Sequence, residues 1–257
     1  SENKKKQMKK MLIIFILLII IVDIFFEVNF PKINEVSLES DKVKEDIRII
    51  QISDLHDKII RDDFIEAIKN QNPDFIVITG DLIDRRTSDY NNVYSFIEKL
   101  APFPIYCISG NHDLSHKDVT KFNQELSKRG VIVLNEKSTS YKGIDLYGFE
   151  YYSSFNNLKA KTDVFSLALV HNPMDIVEKD TTFDLILSGH THGGQVRFPF
   201  VGAIFIPGQG LFAKYDKGLF QINEKTKLYI DSGLGNTFLP IRFLNRSQVS
   251  LIRIYSK

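Results

Sequence analysis

Residues 47–56 read IRIIQISDLH, and this stretch indicates the class of fold. Its first six residues are mostly apolar and β-branched, which is typical of a strand buried on both faces. The polar residues SDLH follow that strand at once. Four later stretches repeat the arrangement: 75–79 (FIVIT, then GDL), 105–109 (IYCIS, then GNHD), 165–170 (FSLALV, then HNP) and 185–188 (LILS, then GHTH).

Helical patterns separate the first of these strands, over residues 62–70, 90–100 and 119–128. After Gly194 the helical patterns stop, and alternating segments at 218–223, 227–231 and 248–254 predict antiparallel strands. Binding sites in α/β sheets lie at the carboxyl ends of strands, where the polar residues stand here. The sequence therefore predicts one α/β domain over residues 47–257.

The N-terminal residues differ sharply from this domain in composition. Five lysines lie within residues 4–10, and residues 11–26 form an apolar run that only Asp23 interrupts. A helix of this length spans about 24 Å, and flanking lysines extend its reach toward the roughly 30 Å of a bilayer core. We expect residues 1–10 to be a basic cytoplasmic flank, 11–26 a transmembrane signal-anchor and 27–46 a linker, with a short edge strand at the end of the linker as an alternative to a linker without regular structure.

A cleaved signal peptide is the alternative for this segment, but no A-x-A site follows the apolar run. The lysines before the run place the N-terminus in the cytoplasm by the positive-inside rule. The expected location is therefore the cell membrane, with a single-pass anchor and an extracytoplasmic domain.

The composition of the 257 residues excludes several classes of protein. Hydrophobic residues are 43% and charged residues 25%, close to the globular average and unlike a disordered or multi-span membrane chain. The net charge of +1 is carried by the N-terminal lysines, so the domain itself is mildly acidic and no nucleic-acid partner is expected. The single cysteine, Cys107, excludes an internal disulfide and a cysteine zinc site.

Five of the six histidines stand directly after predicted strands, beside Asp, Asn or Gly. The sixth, His116, lies near the predicted start of a helix, where a surface position is expected. Oxygen and imidazole donors without thiolates suit two divalent ions such as Mn, Fe, Co or Zn. The candidate ligands are Asp54, His56, Asp81, Asn111, His171, His190 and His192.

These residues form five blocks that resemble the signature of the calcineurin-like metallophosphoesterase superfamily, D-x-H, G-D, G-N-H-[DE], H and G-H-x-H. The resemblance covers roughly residues 47–257 and implies a four-layer α/β/β/α sandwich of two mixed sheets, preceded here by one N-terminal transmembrane helix. The matching blocks are Asp54-Leu55-His56, Gly80-Asp81, Gly110-Asn111-His112-Asp113, His171 and Gly189-His190-Thr191-His192.

The resemblance also implies a role for each residue. One metal would take Asp54, His56, Asp81 and His192, and the other would take Asp81, Asn111, His171 and His190, with Asp81 bridging. His112 would approach the leaving group, and Asp113 would hold its imidazole in place and keep it protonated. Mn²⁺ is favoured as the metal, with Fe, Zn or Co as alternatives.

The implied reaction is in-line attack on phosphorus by a hydroxide that bridges the two metals. The sequence GHTHGGQ at 189–195 and the late stretch around Arg242 resemble the exported or membrane-associated bacterial branch of the superfamily. That branch favours a phosphodiester or pyrophosphate substrate, with a lipid-linked substrate as one alternative. Asn111 and Arg242 are the candidate substrate contacts, and a structural ion pair is the alternative for Arg242.

Other functions remain open at this point. A phosphomonoesterase would use the same residues, a non-catalytic anchored binding module would be expected to lack a ligand or His112, and an amidase would have little use for Asn111 and His112. The apolar stretch 198–220 predicts a packed surface loop, with a membrane-facing flap as the alternative.

Overall fold

The computed structural model of the chain describes residues 2–156, 158–161, 163–206, 209–236 and 240–257. Within these ranges the chain forms five α-helices: α1 (Glu2–Asn29), α2 (Asp62–Lys69), α3 (Asn91–Lys99), α4 (Asn111–Leu114) and α5 (Val119–Lys128). Two short 3-10 helices lie at Pro173–Asp175 and His192–Gly194. The three helices expected between the first strands are confirmed as α2, α3 and α5.

The first sheet has six strands in the order β1-β16-β2-β3-β4-β5. Strands β2 to β5 run parallel, β16 is antiparallel to β2, and β1 is parallel to β16. The strand bounds are β1 (Lys32–Ser40), β2 (Ile47–Ile52), β3 (Phe75–Ile78), β4 (Ile105–Cys107), β5 (Val131–Val133) and β16 (Gln248–Ser256).

The second sheet also has six strands, in the order β14-β15-β9-β8-β7-β6. Its four central strands are parallel and its two edge strands antiparallel, so both sheets are mixed, as expected. The bounds are β6 (Lys137–Tyr141), β7 (Ile144–Phe149), β8 (Phe165–Val170), β9 (Leu185–Ser188), β14 (Gly218–Gln221) and β15 (Lys227–Ile230). Two small hairpins join β9 to β14: β10 (Arg197–Phe198) with β11 (Gly202–Ala203), and β12 (Phe205–Ile206) with β13 (Gly210–Leu211).

The two sheets pack face to face, and this packing explains why four of the six residues of β2 are isoleucines. Ile47 and Ile49 point into the layer between the sheets, whereas Ile50 and Ile52 point to the helices on the other face. Successive side chains of a strand point to opposite faces of the sheet, so a strand that is covered on both faces needs apolar residues on both. The outer face of the second sheet is covered by residues of the connections around β8, among them Phe155, Ile176 and Phe183.

Helix α1 is longer than the predicted span of residues 11–26. Among the described residues it is the one helix that is long and apolar enough to cross a membrane. Most of its side chains are exposed, but one side of its last turns is half-buried against the domain. The residues of that side are Ile20, Asp23, Ile24, Glu27 and Val28.

The segment expected to be a linker, residues 27–46, contains the end of α1 and strand β1. The register of β1 runs from Lys32 opposite Gln248 to Ser40 opposite Ser256. Only Leu38 of this strand is fully buried, because β1 is an edge strand with solvent on most of its side chains. Its polar composition therefore reflects an exposed edge of the sheet, and residues 32–40 form a longer edge strand than the short one considered for the end of this segment.

Candidate metal centre

All seven predicted ligands lie where the carboxyl ends of the central strands of the two sheets meet. Strands β2, β3 and β4 lead into the loops with Asp54, His56, Asp81 and Asn111, and β8 and β9 lead into those with His171, His190 and His192. Two groups of predicted ligands have one ligand atom per residue, all within 4.8 Å of one another: Asp54 with His56 and His192, and Asp81 with His171 and His190. A third set at the same spacing, His56 with Asp84 and His112, lies beside them.

Asp81 connects the two groups. Its Oδ2 lies 3.3 Å from Nε2 of His171 and 3.7 Å from Nε2 of His56. Asp81 is 1% exposed. Asn111 joins the second group, because its Oδ1 lies 3.0 Å from the same Nε2 of His171. A carboxylate in this position could be shared by two cations.

The donor set fits divalent metal ions. Imidazole nitrogens face one another at 3.2 Å, His56 Nε2 to His192 Nε2 and His171 Nε2 to His190 Nδ1, with carboxylate oxygens beside them. Each pair of facing nitrogens needs only one proton to form a hydrogen bond. The lone pairs of the facing nitrogens and of the carboxylate oxygens point toward the same space. The Nδ1 atoms of His56 and His192 are buried without a hydrogen-bond partner among the described residues. Buried nitrogen and carboxylate donors that converge in this way are typical of metal sites.

Surrounding groups orient these donors. The Nδ1 atom of His171 lies 2.7 Å from the carbonyl oxygen of Thr79, so Nδ1–H donates there and Nε2 is the nitrogen directed at the cluster. The backbone N–H of His112 donates to Oδ1 of Asp81 over 2.8 Å, which leaves Oδ2 facing the histidines. Such outer contacts set the tautomer and direction of metal ligands.

Burial and mutual charge shift the pKa values of the cluster in opposite directions. Burial lowers the pKa of His56 and His192, and burial together with the nearby His171 lowers that of His190 to about 3. Burial acts in the same direction on His171, but Asp81 outweighs it and raises the pKa of His171 to about 10. Burial would raise the pKa of Asp81, yet His171 and His56 hold it well below its usual range. Three of the four histidines are therefore neutral at pH 7, the form that binds metal.

The ligand residues also share an unusual backbone conformation. Non-glycine residues with positive φ are uncommon, and such strain gathers at functional sites at a cost of about 1–3 kcal/mol each. The loops approach closely, since a Cβ on Gly189 would lie 1.7 Å from Ser53 Oγ. Five ligand residues have left-handed φ: Asp54 (51°), His56 (47°), Asp81 (55°), His190 (70°) and His192 (49°).

His112 lies at the exposed rim of the cluster. Its ring meets that of His56 edge to face, with 4.7 Å between the centroids. Its Nδ1 lies 3.1 Å from Oδ2 of Asp84, a residue that the sequence analysis did not single out. Asp84 follows Asp81 in the same loop, so the spacing D-x-x-D was the available signal.

The expectation that Asp113 holds the His112 imidazole is wrong. Asp113 is buried, and its carboxylate accepts backbone N–H groups of Gly110 (2.9 Å), Asp81 (2.7 Å) and Ile83 (3.1 Å). The residue stands in the first turn of the short helix α4, from which its side chain turns back to the amide of Gly110 at the helix start. Asp113 therefore ties the Asp81 loop to the Asn111 loop.

Arg242 is placed where it cannot contact a substrate, which corrects the expectation of an anion contact. It is 0% exposed, and its NH2 group donates to the carbonyl oxygens of Ser232 (2.7 Å), Gly233 (3.1 Å) and Gly235 (2.7 Å). The loop that it holds contacts the site, because the N–H of Gly235 donates to the carbonyl of Asp54 over 2.7 Å. Arg242 is a structural support for this loop.

The position of His116 differs from the expectation. His116, expected at the surface, is 4% exposed, and its Nε2 lies 2.8 Å from the carbonyl oxygen of Thr87.

Tyr151 was not predicted as a site residue, yet its ring centroid lies 5.6 Å from that of His190. A groove of about 700 Å³ opens beside it, lined among others by Tyr151, Tyr152, Met174, Asp175, Glu178 and Lys179. A pair of tyrosines after a strand is too common a pattern to reveal this groove.

The chain is similar to several known proteins. Residues 47–194 match the family described as calcineurin-like phosphoesterase. The chain is 33% identical over 232 residues to the uncharacterized metallophosphoesterase YkuE of Bacillus subtilis, a match that covers 81% of this chain and 79% of that protein. It is 28% identical over 244 residues to the metallophosphoesterase YkoQ of the same organism, covering 87% and 90%. It is 26% identical over 256 residues to a transmembrane protein with metallophosphoesterase domain of Danio rerio, covering 86% and 57%.

The family match spans more than half of the chain, and the ligand clusters fall within it or at its edge. Members of this family are metal-dependent hydrolases of phosphoesters, in agreement with the donor set. The chain belongs to the calcineurin-like phosphoesterase family.

Proposed function

We propose that this chain is a dinuclear phosphodiesterase or pyrophosphatase, anchored in the cell membrane. The observation that carries the catalytic part is the convergence of two ligand groups on either side of the Asp81 carboxylate. In this proposal one ion is held by Asp54, His56, Asp81 and His192, and the other by Asp81, Asn111, His171 and His190. Nitrogen and oxygen donors favour Mn²⁺, with Fe, Zn or Co as alternatives.

Two bound ions would act as Lewis acids on the phosphate and supply a hydroxide at neutral pH. The protein adds His112, whose Nδ1 faces Asp84 and whose Nε2 is left to donate a proton to the departing oxygen. Asn111 directs its amide oxygen toward His171, so its amide N–H groups remain available to a phosphate oxygen.

The groove next to Tyr151 supports a substrate with an organic group on each side of the phosphate. At about 700 Å³ it is far larger than a phosphate ion, and Tyr151, which lines it, also contacts His190 of the cluster. A diester or a pyrophosphate can place its second substituent there, and a monoester leaves the groove unused. Phosphomonoesterase activity is the alternative.

An uncleaved anchor is supported by the contacts at the end of α1, and an extracytoplasmic domain by the lysines that precede the apolar run. The N–H of Ser247 donates to the carbonyl of Glu27 over 2.9 Å, and Nζ of Lys58 donates to the carbonyl of Val28 over 2.6 Å. Cleavage would remove these partners from a structured part of the domain. The Danio rerio relative is named a transmembrane protein. We assign residues 1–10 to the cytoplasmic flank, 11–26 to the span and 47–257 to the catalytic domain; a lipid-linked substrate would suit this placement.

The experiment is turnover of bis-p-nitrophenyl phosphate and p-nitrophenyl phosphate by the full chain in detergent, first stripped of metal and then given Mn²⁺. We expect metal-dependent hydrolysis with a higher rate on the diester, abolished by His190→Gln. His116→Gln is the matched control, because His116 is a buried histidine outside the ligand groups. A faster monoester reaction would reverse the substrate order, and two bound ions without turnover of either ester would favour a binding module.

The orientation is tested separately, by adding protease outside intact cells and following the membrane-bound chain. Degradation of the domain is expected. Full protection would place the domain in the cytoplasm, and a shortened chain outside the membrane fraction would indicate cleavage.

A further inference from the structure

We propose that the catalytic domain is partly immersed in the bilayer, through an apolar surface beside helix α1. We call this surface the membrane face and define it by Phe198, Phe200 and Val201 of the β10–β11 hairpin together with Ile241 and Leu244. The inference rests on the proposed anchor, because it takes α1 to lie in the membrane. Its occupant is the outer leaflet that surrounds the anchor.

The side chains of the membrane face are apolar and substantially exposed to solvent. Its side chains are between 40% exposed for Ile241 and 109% for Phe200, which stands at the hairpin turn with φ 66°. Isolated exposed apolar residues are ordinary, whereas contiguous apolar patches mark contact with a protein or a membrane.

The hairpin and the loop at 240–244 form one continuous surface. The rings of Phe198 and Phe243 lie 5.8 Å apart, and the N–H of Arg197 donates to the carbonyl of Phe243 over 3.0 Å. A second backbone bond, from the N–H of Phe243 to the carbonyl of Gln195, holds the same pair of segments together. Phe200 and Leu244 therefore belong to parts of the domain that are hydrogen-bonded to each other.

The contact of this loop with α1 sets its depth relative to a membrane. The N–H of Leu244 donates to Oδ2 of Asp23 over 3.0 Å, and Asp23 lies inside the apolar run 11–26. Since a helix rises 1.5 Å per residue, Asp23 is about 9 Å along the axis from Asn29, where α1 ends. The loop thus stands beside the last turns of the anchor, at a depth where a bilayer surrounds it.

Arginines stand near the end of the helix, where headgroups would lie. The Nε of Arg246 donates to the carbonyl of Phe30, and the guanidinium of Arg61 lies 5.7 Å from the centroid of the Phe30 ring. Cationic and aromatic side chains are typical of the boundary between hydrocarbon and water. The metal cluster is close to this level, because Asn245, next to Leu244, donates to the carbonyl of His192 over 2.7 Å.

The test uses the absence of tryptophan from the sequence, so that one substitution provides a single fluorescent reporter. The full chain with Phe200→Trp is reconstituted in phosphatidylcholine vesicles with plain or with brominated acyl chains. We expect blue-shifted emission and loss of most of the fluorescence in brominated vesicles. Leu244→Trp should give the same result and covers the case in which the Phe200 variant does not fold.

Two control variants make the result decisive. Leu17→Trp lies within the apolar run and should be quenched, whereas Ile132→Trp should not. Ile132 is 43% exposed on β5, at the edge of the first sheet opposite to β1, the strand that follows α1. Quenching at position 17 with none at 200 and 244 would overturn the membrane face while leaving the anchor intact. No quenching at position 17 would overturn the anchor and the membrane face together.

Discussion

The metal centre and the membrane face depart from the usual distribution of side chains in opposite directions. In the first, charged and polar residues such as Asp54 and His171 are 0% exposed, and in the second Phe200 is fully exposed. Buried polar groups without partners and exposed apolar side chains both raise the free energy of the folded chain in water. In each region a partner outside the polypeptide would lower it. Divalent cations would complete the first region, and an apolar phase would complete the second.

The two regions also differ in how tightly their side chains are held. Each ligand of the metal centre has a fixed direction, set by strained backbone and by bonds such as that from His171 to Thr79. The segments of the membrane face are held to the rest of the protein by backbone hydrogen bonds, and their apolar side chains form no hydrogen bonds. Metal coordination is directional and hydrophobic burial is not, so the two regions should differ in their sensitivity to substitution.

The largest effect is expected for Asp81→Asn. Loss of the shared carboxylate removes a ligand from both groups, and turnover should fall on the order of a thousandfold or more. Metal content by mass spectrometry should fall with it. Asp89→Asn, an exposed carboxylate outside the ligand groups, should behave as the unchanged chain. Full activity of Asp81→Asn would break the claim that the buried cluster depends on each ligand.

Arg242→Met should lower the free energy of unfolding by about 3 kcal/mol, because carbonyls that the guanidinium satisfies are left buried without a donor. The measurement is chemical denaturation of the full chain in detergent. Arg85→Met, exposed in the loop after Asp84, is the control. Unchanged stability with a raised KM would instead return Arg242 to the role of a substrate contact.

His112→Ala should reduce turnover by about a hundredfold on esters with poor leaving groups and much less on p-nitrophenyl esters, as expected for loss of a general acid. Asp84→Asn should show the same dependence on the leaving group, since its carboxylate faces His112 Nδ1. Both variants should retain their metal. An equal loss on good and poor leaving groups would exclude the acid role.

The smallest effect is expected for Phe200→Ser, which should change the free energy of unfolding by no more than about 0.5 kcal/mol. Phe183→Ser is the matched comparison, because Phe183 is 0% exposed in the core of the second sheet. That variant should lose about 3 kcal/mol or more. Equal losses at the two positions would mean that Phe200 packs within the protein, and the contrast between the two regions would disappear.

Much of the fold is readable from the sequence where one periodicity dominates. Strands β2 and β8 have the predicted bounds, because runs of mostly apolar residues identify strands that are packed on both faces. The bounds and partner of strand β1 were not predicted, since its side chains are mostly exposed and its place depends on pairing with β16 at the other end of the chain. The identity of the ligand residues came from recurring motifs at strand ends, and their assembly into two groups depends on the meeting of two sheets.

The sequence by itself determined the class of fold, the apolar N-terminal helix and the residue types available to a metal. Tertiary structure alone decided that Asp84, not Asp113, faces His112, and that Arg242 is buried under carbonyl groups. It also brought Leu244 to Asp23, which are far apart in the chain. The physical reason is that local patterns record which face of a strand or helix is buried, whereas the partner of a polar group depends on which loops the packed sheets bring together.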